Sequence, residues 1–309
     1  MKSKRTMAIV SVCMALFIGG CAASRGGQGN PPMTYLQVED EAKPLSHKIA
    51  LALVQRPSSR FGSQLADMYI SALVDTIRDG GPQVALAAPR DPDYPEFMQS
   101  DALAKDAAPD VFDLAEEARE QGYQGFVTAS ISGLQTSVER WGFLWFRKTN
   151  YYISYSAEVS LYDAFTAAKI VDIVREKKLS IDMADYEGFR DQSLPAIGSL
   201  DESVAKVARG LGKKIVDALE DQPWKATVAA VQDNRLFFET GNTNGLEIND
   251  ELVVFARRQI IRGKDGARFI LTGPEIGKAR ITAIKGGLAE AVVEDGSGIQ
   301  AGDLLVAVK

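Results

Sequence analysis

The sequence predicts an α+β fold, a sheet with packed helices, followed by a small all-β barrel domain. Three observations carry that reading. Short apolar runs alternate with stretches of 3.6-residue apolar period through the first half of the chain. Two long strands with a two-residue period then follow one another directly. Beyond Pro223-Trp224 the helical period is gone, and short apolar runs are separated by Gly, Asn and Asp turns.

The elements follow in order. "KIALALV" (Lys48–Val54) is an apolar run suited to a buried strand. Phe61–Arg78 places Leu65, Tyr69, Leu73 and Ile77 at spacing four, which predicts a helix, and Asp79-Gly80-Gly81-Pro82 stops it. "QVALAA" (Gln83–Ala88) is a second strand, and Asp91–Asp110 is a polar loop with a little helix. Val111–Glu120 is a short helix with Gly122 where a left-handed C′ residue belongs. Gly125–Val138 is a long strand. Tyr151–Asp163 is another, with Tyr151, Ile153, Tyr155, Ala157, Val159 and Leu161 on one face. The turn "DAFTAAK" (Asp163–Lys169) leads into a strand over Ala168–Ile181, completing an antiparallel meander. A helix over Leu200–Leu219 follows, with Val204, Val207, Leu211, Ile215 and Leu219 as its stripe. Gly210 and Gly212 inside it each cost about 1 kcal/mol relative to Ala.

Past the boundary, a domain over 223–309 follows one over 47–222. Asp265-Gly266 lies between apolar runs as a hairpin turn. An internal echo marks this half. "GLEINDELVV" (Gly245–Val254) lines up with "GIQAGDLLVA" (Gly298–Ala307): a glycine-led turn, an acid, then a buried strand. Two copies predict a small closed barrel of SH3-like class that uses one turn-to-strand corner twice.

The N-terminal residues read as an address. Lys2, Lys4 and Arg5 precede an apolar run, Met7–Gly20, of 14 residues. A spanning helix needs about 20, so this is the layout of a signal peptide. "LFIGGC" (Leu16–Cys21) resembles the lipobox of bacterial lipoproteins. That resemblance implies a signal peptide over 1–20, a diacylglycerol on Cys21 and cleavage before it. Residues 21–46, rich in Gly, Pro and Ser, form a flexible tether. Ala22 rather than Asp after the cysteine implies the outer membrane.

Composition narrows the function. The formal charge is −6, and losing Lys2, Lys4 and Arg5 with the signal peptide takes it to −9. That acidity argues against nucleic acid as a partner, which needs a basic face. Cys13 would leave with the signal peptide, so Cys21 has no partner for a disulfide. His47 is the only histidine and reads as a surface residue at a strand entrance. Neither a histidine–cysteine metal site nor a nucleophile–histidine pair can be assembled. "GPEIGKAR" (Gly273–Arg280) has three residues between its glycines, not four, and Ala279 in place of Ser or Thr, so it is no phosphate loop. "GSGIQAG" (Gly296–Gly302) is a turn. The 41 acids mark no catalytic pair. The expectation is therefore a non-catalytic protein without cofactor or metal.

The stretch that asks for an explanation is "RWGFLWFRKTNYY" (Arg140–Tyr152). Trp141, Phe143, Trp145, Phe146, Tyr151 and Tyr152 surround Arg140, Arg147 and Lys148 at the tip of a predicted hairpin. Aromatic rings at a tip dock a partner or a membrane surface, or else cover the open sheet edge or pack on the barrel.

Residues 47–182 resemble the domain shared by the TolB amino-terminal region and the CsgG family of curli secretion lipoproteins. The resemblance is carried by "KIALALV", "AEEAREQGYQGFVTASISG" and "YSAEVSLYDAFTAAKIVD". Residues 224–309 resemble the C-terminal barrel of flagellar assembly protein T through "DNRLFFETGNTNGLEINDELVVF", "IGKARITAI" and "GSGIQAGDLLVAV". One departure is local: family meander turns read Asp-x-x-Thr-Gly, and this chain carries Ala167 at the last position. The resemblance implies a lipid-anchored scaffold on the periplasmic face of the outer membrane, in the flagellar basal-body ring. Its partners would be envelope or flagellar proteins and copies of itself in a ring. The alternatives are an activator or adaptor of a cell-wall synthase or secretion complex and, from another class, a carboxylate-based envelope hydrolase. A CsgG-like pore is disfavoured, because Glu139–Asn150 is too short for a membrane-inserted hairpin.

Overall fold

The structure, a computed structural model, describes residues 45–54, 62–99, 110–143, 145–191, 198–240, 245–256, 259–263 and 266–308. The signal peptide, Cys21 and the tether up to residue 44 lie outside them. So does Asp265 of the predicted hairpin turn.

Strands β1 (His47–Leu53), β2 (Val84–Ala87), β3 (Gly125–Trp141), β4 (Lys148–Asp163) and β5 (Lys169–Ile181) form one mixed sheet in the order β2-β1-β3-β4-β5. The β1 strand is parallel to both β2 and β3, and β3-β4-β5 is the antiparallel meander. Each face takes the residues that alternation assigns it. On one face Ile153, Tyr155, Ala157, Val159 and Leu161 of β4 are fully buried against two helices, α1 (Gly62–Arg78) and the long helix Gly198–Glu220.

The α1 stripe of Leu65, Tyr69, Leu73 and Ile77 is buried as its spacing demands, and so is the stripe from Val204 to Leu219. Truncating any one of these leucines or isoleucines to Ala costs roughly 2–5 kcal/mol. Two buried hydroxyls pin the layer. Tyr69 Oη donates to the Glu158 carbonyl (2.9 Å), and the Tyr155 and Ser203 oxygens are 2.8 Å apart. Burial pushes the Tyr69 phenol well above its ordinary pKa.

The opposite face of β1 and β3 carries a second core. A 3-10 turn (Glu96–Gln99) and α2 (Val111–Glu120) cover it with Phe97, Met98, Phe112, Leu114 and Ala115. Asp110 caps α2 by accepting from the Phe112 N–H (3.1 Å). Gly122, at φ +74°, ends it in a Schellman motif, with Tyr123 N donating to the Ala118 carbonyl (2.8 Å) and Gly122 N to that of Arg119 (3.0 Å). After β5 comes α3 (Met183–Arg190), capped by Asp182, and then the long helix, α4 (Gly198–Glu220). The α3 helix is absent from the sequence expectation. It offers only Tyr186 and Phe189 as an apolar face, too few for a stripe.

The C-terminal half contains a closed barrel. Its strands are β6 (Lys225–Gln232), β7 (Arg235–Glu239), β8 (Glu251–Phe255), β11 (Glu275–Lys285), β12 (Leu288–Gly296) and β13 (Leu304–Ala307), in the order β11-β12-β7-β6-β13-β8. Trp224, Leu236, Phe238, Leu252, Val254 and Ile281 are among the side chains filling it. Within "GPEIGKAR", Glu275–Arg280 forms the first part of strand β11.

The internal echo is a repeated corner. Gly245 and Gly298 both take φ +75°, and Asn249 and Gly302, one residue before the acid, also lie at positive φ. Asp250 accepts from the Glu247 N–H and Asp303 from the Gln300 N–H, each at 2.8 Å. The strands that follow, β8 and β13, pair with each other.

A hairpin of β9 (Gln259–Arg262) and β10 (Arg268–Leu271) leaves the barrel and reaches the second core, where Ile270 is buried. Its backbone N–H donates to the Thr166 carbonyl (3.0 Å). Leu304 of the barrel joins the same core.

Two expectations are corrected. His47 is not a surface residue: it is buried, opposite Val84, because β1 is an interior strand whose end is covered at the seam with Pro223 and Lys225. The tether does not reach 46 either. Leu45 packs on the barrel core and Ser46 is buried.

Candidate functional site

The feature to be explained is the end of the β3–β4 hairpin. β3 and β4 are the longest strands, and β5 accompanies β4 only as far as the pair Tyr151↔Ile181. Beyond it the pairs Glu139↔Asn150, Arg140↔Thr149 and Trp141↔Lys148 continue as a two-stranded arm. Three pairs at about 3.3 Å per residue carry the tip roughly 10 Å past the β5 edge.

Local chemistry fixes the turn. Gly142 sits at φ +111°, and a Cβ there would run into the Phe146 carbonyl, so only glycine fits. Phe146 N donates to the Phe143 carbonyl (3.1 Å).

The six predicted aromatics divide into two groups. Trp141, Phe143, Trp145 and Phe146 are 60%, 79%, 85% and 80% exposed. They cover neither the sheet edge nor the barrel, and among the described residues none of these rings contacts another ring. Tyr151 and Tyr152 are half-buried and form the base of the arm instead. The Tyr151 ring packs on Tyr186 of α3 with centroids 4.9 Å apart. On the other face Lys178 lies 4.2 Å from the Tyr152 ring centroid and is paired with Glu139. Sequence reasoning missed the roles of Tyr186, Lys178 and Glu139. The Asp182 cap signal, three residues before Asp185, could have flagged α3.

Arg140, Arg147 and Lys148 are exposed around the tip, and none has an ion pair among the described residues. The arm therefore ends in four solvent-facing rings and three unpaired cations, on a base clamped from both faces. Such a tip offers contact area and positive charge.

A second region joins the two halves of the chain. Gln124 donates to the Lys225 carbonyl (2.6 Å) and accepts from the Lys225 N–H (3.0 Å). The Lys225 ammonium pairs with the buried Asp163 carboxylate at 2.8 Å. Beside them lies a cleft of about 330 Å³, lined in part by Arg119, Phe165, Trp224 and Glu239. At the start of α2, Arg268 bridges Asp110 (2.6 Å) and Asp113 (2.7 Å) and stacks over Phe112. Burial opposes ionisation of Asp110, but Arg268 and the α2 amides outweigh it and hold its carboxyl below the usual range. These are cross-links between elements. Among the described residues no group of three His, Cys, Asp or Glu side chains is arranged to hold a metal ion, and no helix is long and apolar enough to cross a membrane.

No family model matches the sequence. No curated protein sequence matches it either. Solved structures with a partly similar chain course include lipoprotein GNA1162 from Neisseria meningitidis, at TM-score 0.32 and 14% identity, covering 54% of this chain and 99% of that one. A minor lipoprotein from Acinetobacter baumannii matches at TM-score 0.29 and 9% identity, covering 55% and 92%. The PelC dodecamer from Paraburkholderia phytofirmans matches at TM-score 0.28 and 14% identity, covering 59% and 92%.

Proposed function

We propose that this chain is a lipid-anchored envelope protein that works as a non-catalytic scaffold, facing the periplasm from the outer membrane. Its TolB/CsgG-like α+β domain (47–222) and SH3-like barrel domain (223–309) supply the contact surfaces. The finer reading, taken from the likeness to flagellar assembly protein T, places it in the flagellar basal-body ring, alongside flagellar proteins and further copies of itself.

The observation that supports a contact role most directly is the arm: four rings held in solvent on a clamped base. Exposed aromatic side chains forfeit roughly 1.5–3 kcal/mol each that burial would return, so a partner surface is the natural destination of this tip. Anchoring by Cys21 rests on the lipobox pattern alone.

The test is a photo-crosslinking residue at Phe143 in cells, with motility scored beside it. Crosslinks to basal-body ring proteins, and loss of swimming on deletion, are the expected result. Normal swimming together with crosslinks to a cell-wall synthase would replace the flagellar reading with the adaptor one. Unchanged localisation and assembly after Trp141→Ser with Trp145→Ser would remove the contact role. Membrane association that survives Cys21→Ala after processing would remove the anchor.

A further inference from the structure

The arm's composition is specific enough to name what it touches. We infer that the tip inserts its aromatic rings into the interfacial layer of a bilayer containing anionic lipid, with Arg140, Arg147 and Lys148 on the headgroup phosphates. This rests on the reading of the tip as a working surface and adds the chemistry of its partner.

Three features favour a lipid surface. The first is shape: the tip is convex, standing clear of β5, and its rings are splayed rather than stacked. A splayed convex tip enters a fluid layer without needing a preformed pocket. The second is residue type. Trp and Phe flanked by Arg and Lys are the composition of membrane-interface anchors, in which rings sit at headgroup depth and cations meet phosphate. The third is charge. In a chain of net charge −6, the tip collects three cations without ion pairs among the described residues, while the nearest acid, Glu139, is neutralised by Lys178. An anionic surface complements that tip.

The tip would be a shallow contact rather than a span. An arm of three residue pairs beyond β5 is far shorter than the 9–11 residues per strand that a crossing needs. Together with an acyl anchor it gives the body two attachments, which fix its orientation where a tether alone would leave it free.

The chain contains its own reporters. Trp141 and Trp145 lie in the tip, and Trp224 is buried in the barrel core as an internal reference. The mature sequence, residues 21–309 with Cys21→Ser to remove any acyl chain, is mixed with phosphatidylethanolamine–phosphatidylglycerol vesicles and with pure phosphatidylcholine vesicles. The expected result is a blue shift of tryptophan emission and quenching by brominated lipid on the anionic vesicles, weak on the neutral ones. Trp141→Ser with Trp145→Ser abolishes co-sedimentation with the anionic vesicles and leaves the Trp224 emission of the folded chain. Replacing Arg140, Arg147 and Lys148 with Gln lowers vesicle binding on the order of 100-fold, since each cation near an anionic surface is worth about fivefold.

Equal binding to both vesicle types, or binding that persists in the double serine variant, overturns the inference. If vesicles leave the emission unchanged while Phe143 crosslinks to an envelope protein in cells, the lipid inference falls and the scaffold reading stands. If neither vesicle nor protein contact is found, both fall.

Discussion

Gly210 and Gly212 lie two residues apart in α4, on opposite faces of the helix, and substitution by Ala should move stability in opposite directions. Gly210 is exposed, and a Cβ added there meets nothing within 4 Å. Gly210→Ala therefore gains the helix-propensity difference, about 1 kcal/mol. Gly212 is buried against α1. A Cβ there would lie 2.9 Å from both Cβ and Cγ2 of Thr76 and 3.5 Å from Leu73 Cδ1. Thr76 cannot swing aside cheaply, because its β-branch is stiff and its hydroxyl donates to the Ala72 carbonyl at 2.7 Å. The helices must separate instead, and overpacking of this kind costs roughly 1–3 kcal/mol. Set against the same propensity gain, Gly212→Ala is net destabilising by about 1 kcal/mol. The two variants should thus differ by about 2 kcal/mol, seen as a gap of several degrees in the thermal transition followed by helical circular dichroism. If Gly212→Ala is as stabilising as Gly210→Ala, α1 and α4 do not approach as closely as the 2.9 Å separation from Thr76 requires.

Other changes test other joints. Lys225→Met leaves the buried Asp163 carboxylate without its cation and should cost about 3 kcal/mol in urea unfolding; adding Asp163→Asn should recover part of that loss. Ala167 is held at φ +57° in the β4–β5 turn, so Ala167→Gly should stabilise by about 1 kcal/mol, and a loss of stability would contradict that geometry. The Asp110 carboxyl is held below its ordinary value chiefly by Arg268. Its contribution is therefore complete above pH about 3.9 and disappears only as pH falls through the lower folded value. The protection factor of the Ile270 amide, its exchange rate relative to an unstructured amide at the same pH, should fall below that point, and Arg268→Gln should lower it at neutral pH as well.

Where the sequence carried a strong period, structure follows it closely. The α1 stripe, the α2 span and the alternation in β4 are all buried as their spacing requires, because one buried face leaves little freedom of register. Ala167 shows a subtler kind of legibility. The Asp-x-x-Thr-Gly turn that this segment resembles has Gly at that position, and the positive φ of Ala167 gives the reason. The repeated corner was visible as text and proves to be one hydrogen-bonding device used twice. What could not be read is what depends on contacts distant in sequence. His47 looks like a surface residue until Pro223 and Lys225 cover its end of β1. Tyr151 and Tyr152 are indistinguishable from their neighbours until α3 and Lys178 clamp them, leaving the other four rings exposed. The α3 helix, whose packed apolar side chains are Tyr186 and Phe189, depends on that tertiary contact for its stability.

The seam between sheet and barrel has a mechanical consequence. Ile270 and Leu304 share a core with Phe112 and Phe126, and the Gln124 side-chain amide grips the Lys225 backbone by two hydrogen bonds. A junction packed and bonded in this way is not a joint. The distance from the aromatic arm to the barrel wall is then a constant of the fold, and the body can serve as a gauge. With the arm on one surface, whatever meets the barrel is held at one fixed height above it.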